Sequence, residues 1–507
     1  MLLACKSGQV AKADTGLQLV TPEQFGAIGD GKIRLLSSAF KTIDEARKVY
    51  PSAKDLDITI DGAAFQKAVD FVSDAGGGTI LCEKNYAINF PIETKNNVTI
   101  DGNGKGNIYN DCSRKKYGHD IAFFVGNHHP VAFNPNAEIP NSYKIYECAA
   151  PVSAGDRSIS LKQFEKVKNE FEIGQIVWLT SQKTFYQRSY AWYMDQSFAC
   201  KITDIRAGRL YFEYPVEETI PAAQIAANGG RDRFMEIDFK AVQNLTIKNL
   251  NINAGSLTNH TWGYKCLFEN LNLVNTTHLI VLNSLNHSII RNIKGTYYNR
   301  CIEVKSGAEH LLISNIQATF KAPDGIDTSI GIISTGEYNR KIVIDSFYID
   351  MKNSRCNQAL ITIQAREATI RNGTIISPNH NKAFIKFYND YNVSNPKLAA
   401  FGNNIENIHF NGSKGMPFLI IVGEPDQFAL RMQKEKNATH PQWPNSNTIT
   451  ACTFQGGNST SKLALYGGSN NTIDNCFFAF QPLIIESNDF SRHNKIQIAQ
   501  NKKSNNE

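Results

Sequence analysis

The chain has 507 residues, 42% of them hydrophobic and 20% charged, with a net charge of +6 and a pI near 8.6. That length allows two to four ordinary domains or one large repetitive one, and the apolar share is ample for a core. The mild positive balance permits an acidic polymer as partner, while no long basic run, RNA-binding signature or 18-residue apolar stretch is present to suggest nucleic acid or a transmembrane helix.

Residues 1–20 begin "MLLACKSG", and "LLAC" resembles a bacterial lipobox, which makes Cys5 the lipidated residue and the rest a flexible tether. On that reading the protein lies outside the inner membrane, at the outer membrane, the cell surface or in the periplasm. The 10 cysteines are scattered and form no CxxC.

Residues 21–124 form an N-terminal cap and the first coils of a repeat. "FGAIGDG" is followed, after an insertion, by "ITIDGAAFQKAVDFVSDAGGGTILC". Its periodicity predicts a helix with Phe65, Ala68, Val69, Val72 and Ala75 on one face, Asp61 as N-cap, and a stop at the glycines from Gly76. Such a helix can plug the open end of a stack of strands. Residues 125–235 break the pattern. "AGDRSISL", "EIGQIVWLTS", "CKITDIRAG" and "RLYFEYPV" read as four short strands of an inserted β domain, with an aromatic loop "TFYQRSYAWYMDQSF".

From 236 to 495 one phrase recurs. It reads "IKNLNI" at Ile247, "FENLNL" at Phe268, "IRNIKG" at Ile290 and "ISNIQA" at Ile313, in steps of 21, 22 and 23, then recurs at Ile344, Ile370, Ile405, Ile449 and Ile473. A turn of that length, lengthened here and there by loops, predicts an all-β fold, a parallel β-helix. The recurring Asn suits a left-handed bend, so Asn249, Asn270, Asn292, Asn315, Asn372, Asn407 and Asn475 should stack in a ladder. Cys452 and Cys476 share one position in successive coils and read as stacked core thiols rather than a disulfide. A second strand set runs "CIEVKS", "IGIIST", "ALITIQ", "AFIKFY", "FLIIVG", "PLIIES". A polar tail occupies 496–507.

The stretches "FGAIGDG", "DGAAFQKAV" and "GGGT" are similar to the N-terminal region of the pectate-lyase superfamily, from about Thr21 to Cys82, and the coil phrases extend the likeness to about residue 495. The resemblance implies a right-handed parallel β-helix with an N-terminal capping helix, in a superfamily that mostly acts on polysaccharides.

Strand alternation in the second set places Cys301, Glu303, Lys305, Thr362, Gln364, Arg366, Lys386 and Tyr388 outward, which predicts one cationic flank through Lys305, Arg366 and Lys386, suited to a uronate polymer. Each of these also reads as an ordinary solvated side chain. "YNRCIEVKSG" resembles the "DDCIAIKSG" strand of β-helix polygalacturonases, but Asn299 and Arg300 stand where that family's acidic residues act, and no Gly-His-Gly element follows. Hydrolysis needs two carboxyl groups. β-Elimination needs a neutraliser for the uronate carboxylate, a base and an acid. Lyases of the superfamily often use Lys or Arg as base. The resemblance thus points to Lys305 or Arg300 as base, Asn299 and Arg366 as carboxylate binders, and Tyr298 or His278 as proton donor. Glu303 would tune Lys305 or hold a metal, and Trp262 would form a sugar platform. Tyr297 and Tyr298 read equally as padding of a bend. Asp324 and Asp327 are the carboxylates a Ca²⁺ ion would take, though two at one bend fall short of a full site. No other cofactor is called for. Three readings stand at this point: a lyase of an acidic polysaccharide (pectic, alginate-like or glycosaminoglycan), a β-helix hydrolase, and a non-catalytic carbohydrate binder.

Overall fold

The computed structural model describes residues 18–111, 122–125, 145–181, 197–221, 223–226, 241–254, 263–283, 285–305, 307–321, 332–336, 339–353, 358–380, 382–387, 400–423, 444–486 and 491–498. The chain is a right-handed parallel β-helix with a capping helix and an inserted β module.

The cap forms first in the chain. Helix Ile60–Asp74 is N-capped by Thr59, whose side chain accepts from the Gly62 amide, and not by Asp61 as the sequence suggested. Asp61 has a larger task. Its buried carboxylate accepts from the amides of Ile28, Gly29 and Ala87, tying the "FGAIGDG" loop and the first coil to the helix. Phe65, Ala68, Val69 and Val72 are fully buried over the end of the stack, while Ala75 is an exposed C-cap residue beyond the buried face.

Each coil then carries three ladders of parallel strands. Strands such as Thr246–Asn253 bend in the middle, at Asn249. Before the bend, Ile247, Phe268, Ile290, Ile313, Ile344, Ile370, Ile405, Ile449 and Ile473 are register partners and form one inward stack, the first ladder. After the bend the second ladder begins. Each asparagine has φ near +50°, and the side-chain amide of one donates to the side-chain oxygen of the coil before, from Asn270 to Asn249 at 2.9 Å, Asn292 to Asn270 at 2.8 Å and Asn315 to Asn292 at 2.8 Å; Asn407 likewise donates to Asn372, but Ala451 at the bend of the next coil leaves Asn475 out of the ladder. Where Ser346 holds the bend, Asp345 supplies the acceptor for Asn372 instead. Cys452 and Cys476 are buried free thiols in successive coils.

The third ladder stacks Ile280, Ile302, Ile333, Ile361, Ile385, Ile420 and Leu463. A short corner row follows it, in which Gln243, Tyr264, Asn286, Glu309, Arg340, Arg366 and Phe401 are register partners. The next residue of each coil (Lys265, His287, His310, Lys341, Glu367) again has positive φ, so every coil has a second left-handed corner.

The inserted module is a six-stranded antiparallel sheet in the order Ile145–Glu147, Ala223–Ala226, Ile176–Ser181, Ser197–Arg206, Arg209–Phe212, Ser158–Ser160. It buries its own core around Val177, Leu179, Ile202 and Leu210, separate from the β-helix core. A small third cluster of Ile176, Trp178, Ala199 and Tyr264 joins the two.

Candidate functional site

The third ladder brings part of the expected constellation together. His278 and Arg300 are register partners in adjacent coils. The Tyr298 hydroxyl lies 2.6 Å from the Thr277 hydroxyl, and its ring packs partly into the core. Arg300 forms an ion pair with Glu303, three residues on in the same strand. Arg300, Asn299, Tyr298 and His278 are half-buried, whereas Glu303 is only 3% exposed. A buried carboxylate is tolerable only when paired, and the guanidinium supplies that pairing. Glu303 is therefore engaged by Arg300.

Other candidates fall elsewhere. Cys301 is fully buried in the core and does not point outward. Pairing shifts register between Leu273 and His278, so strict alternation fails at this bend and Cys301 and Ile302 both enter the interior. Tyr297 is also a core residue, edge-on to Phe320. The expected cationic flank does not form as one line. Lys386 is in line with Glu303 through Ser334 and Thr362. Lys305, the last residue of its strand, pairs with Asn283, and its side chain lies outside the described part of the structure. Arg366 sits on the corner row, next to Arg340. Nor is this flank open at Gln364, which is only 5% exposed. Cys5, Trp262, Asp324, Asp327 and Tyr388 lie outside the described residues. Among the described residues no group of three His, Cys, Asp or Glu side chains is placed to hold a metal ion.

Arg366 belongs to a second polar cluster. The segment Glu213–Glu218 of the inserted module lies along five successive coils at the corner row. Glu213 accepts from the Tyr264 hydroxyl at 2.9 Å and pairs with Lys265 at 2.5 Å. The Tyr214 ring stacks on His287 with 4.6 Å between centroids, and His287 stacks on His310 at the same spacing. Glu217 meets His310 at 2.7 Å, Lys341 at 2.6 Å and Arg340 at 3.3 Å. Glu218 takes both terminal nitrogens of Arg366, at 2.7 and 3.1 Å. Arg340 also reaches Glu309 at 3.2 Å and lies 3.8 Å over the Phe198 ring. Burial raises the Glu217 pKa, but the bonds from His310 and Lys341 and the charge of Arg340 outweigh it and hold the carboxyl at about 2. Burial, then the facing His310 and Lys265, press His287 down to about 4. Sequence reading missed this cluster. Its signal was the acid-rich "EYPVEE" beside "NRKIV", two short phrases with no motif to link them.

No protein-family model and no curated relative matches the chain. Among solved structures, a mannuronan C-5 epimerase module of Azotobacter vinelandii aligns over 95% of this chain and 100% of that one, at 12% identity and a TM-score of 0.45. A surface adhesin of Streptococcus pneumoniae aligns over 95% and 90%, at 12% identity and a TM-score of 0.44. A tailspike of Pseudomonas phage phi297 aligns over 92% of this chain and 77% of that one, at 14% identity and a TM-score of 0.53. At such identity the likeness to the tailspike is one of fold, and the fold is the right-handed parallel β-helix.

Proposed function

We propose that this protein is an extracytoplasmic lyase that cleaves a uronate-containing polysaccharide by β-elimination at the His278–Tyr298–Arg300 cluster. One arrangement carries the reading: His278 and Arg300 are backbone register partners in adjacent coils, and in the same two strands the Thr277 and Tyr298 hydroxyls lie 2.6 Å apart. Elimination begins at the carbon next to the uronate carboxylate, whose proton is acidic only once that carboxylate is neutralised. Arg300 is the neutraliser, with Asn299 adjacent, because a guanidinium fork can serve Glu303 and a substrate carboxylate together. His278 takes the carbon-bound proton. The electron pair left behind forms the new double bond as the bond to the 4-linked oxygen breaks, and Tyr298 gives that oxygen a proton. Arg366, bound to Glu218, is not among the carboxylate binders in this scheme.

The test follows ultraviolet absorbance and reducing ends together on a panel of acidic polysaccharides, with and without chelator. A lyase raises both signals; reducing ends alone would mean hydrolysis, and neither would mean a binder. His278→Ala should lower the elimination rate by about 10²–10⁴-fold. Arg300→Lys, which keeps the charge but loses the fork, should raise KM and lower kcat. Full activity in both variants would remove this cluster from the site.

A further inference from the structure

The corner row and the left-handed residue after it place a line of cations along the β-helix axis, Lys265, Arg340, Lys341 and Arg366, with the His310 imidazole among them. Four coil steps separate Lys265 from Arg366, roughly 19 Å at ~4.8 Å per step. A six-residue extended segment spans about 17 Å. The segment Glu213–Glu218 matches that length and contacts the coils in order, Glu213 at one end and Glu218 at the other. It is seated as an anionic polymer would be. We propose that this strip is a polyanion-binding site and that the acidic segment is a clasp which an anionic polysaccharide displaces from it.

Three observations support displacement. The module has its own core, and among the described residues its apolar junction with the β-helix is the cluster of Ile176, Trp178, Ala199 and Tyr264, with Ala241 packed against it. An interface that rich in ion pairs favours relative motion of the two bodies. Val216 is fixed to the module, its amide donating to the Asp156 carbonyl and its own carbonyl accepting from Gly155, so the clasp leaves with the module. The clasp also satisfies the strip incompletely. Arg340 and Arg366 are more than nine-tenths buried, yet the Nε of each has no hydrogen-bond partner among the described residues. A side-on carboxylate engages Nε together with a terminal nitrogen of an arginine. Lys265 and Lys341 remain partly exposed at the strip's margin, where an incoming chain makes first contact.

This inference shares with the lyase reading only the class of ligand, and its test reads binding rather than cleavage. Polygalacturonate and alginate are the probes, with dextran as neutral control. Glu217→Gln/Glu218→Gln should bind the anionic probes about tenfold more tightly than wild type, and Lys341→Gln more weakly than wild type. Unchanged or weaker binding by a folded double variant overturns the proposal. Hydrogen exchange on the unaltered protein gives an independent arm. Saturating polygalacturonate should speed exchange in 213–218 and slow it at 340–341; no change in 213–218 overturns the clasp even if the double variant fails to fold.

Discussion

The Asp61 carboxylate accepts from three backbone amides, two in the loop at Ile28–Gly29 and one in the first coil at Ala87, and it is almost wholly enclosed. Asp61→Ala leaves those donors buried without an acceptor, at a cost of about 2–3 kcal/mol or more; denaturant unfolding should show it, and a loss under about 0.5 kcal/mol would contradict the role. Thr335 presents the opposite case. Its hydroxyl is buried in line with Val304 and Ile363 and has no partner among the described residues. Thr335→Val removes a polar group that burial penalises, so the variant should equal or exceed wild type by about 1 kcal/mol. Single residues were the least legible level of the sequence. Asp61 has the composition of an N-cap, and nothing local shows that a loop some 30 residues upstream needs its oxygens. Cys301 alternates correctly on paper, but the pairing slips just before it.

The repeating bend shows what an element can reveal. A left-handed residue in every coil favours Asn, and the amide ladder adds a bond per step, so the period was written into composition. Asn292 has φ +57° and bonds both to Asn270 and from Asn315. Asn292→Ala should cost about 2–3 kcal/mol, combining backbone strain with lost bonds, and Asn292→Gly less, because glycine tolerates the backbone. Equal losses would mean that strain contributes nothing. The second left-handed corner was invisible for a matching reason. Its occupants are Lys265, His287, His310, Lys341 and Glu367, a mixture of types with no single residue that marks the corner from coil to coil. The cations facing the inserted module sit at that corner and in the row before it. The candidate site was legible only as far as the third ladder's register could be guessed: His278 beside Arg300 was within reach, the buried state of Glu303 was not.

At the scale of the whole molecule, two separately cored bodies meet across a charged junction, and acid should loosen it. His287 has a pKa near 4 in place of 6.5, so below pH 6.5 the unfolded chain takes up a proton that the native chain refuses. Its contribution is complete above pH 6.5 and is lost as pH falls toward 4. Glu217, at about 2 in place of 4.5, extends the loss further down, its share being complete above 4.5 and gone below about 2. The groups facing His287 are Tyr214, Tyr264, His310, Lys265, Glu213 and Glu217. Thermal midpoints should stay level above pH 6.5 and fall from there to 4, and His287→Phe should flatten that first portion of the fall. The proposed elimination rests on the third ladder, where a polymer's carboxylate is to meet Arg300 with His278 its register partner one coil away. The most direct measurement is a structure of the His278→Ala protein with an acidic oligosaccharide bound. The account predicts a uronate carboxylate within hydrogen-bonding distance of the Arg300 guanidinium and the adjoining glycosidic oxygen facing Tyr298; an oligosaccharide lying on another ladder, with Arg300 touching only Glu303, would contradict it.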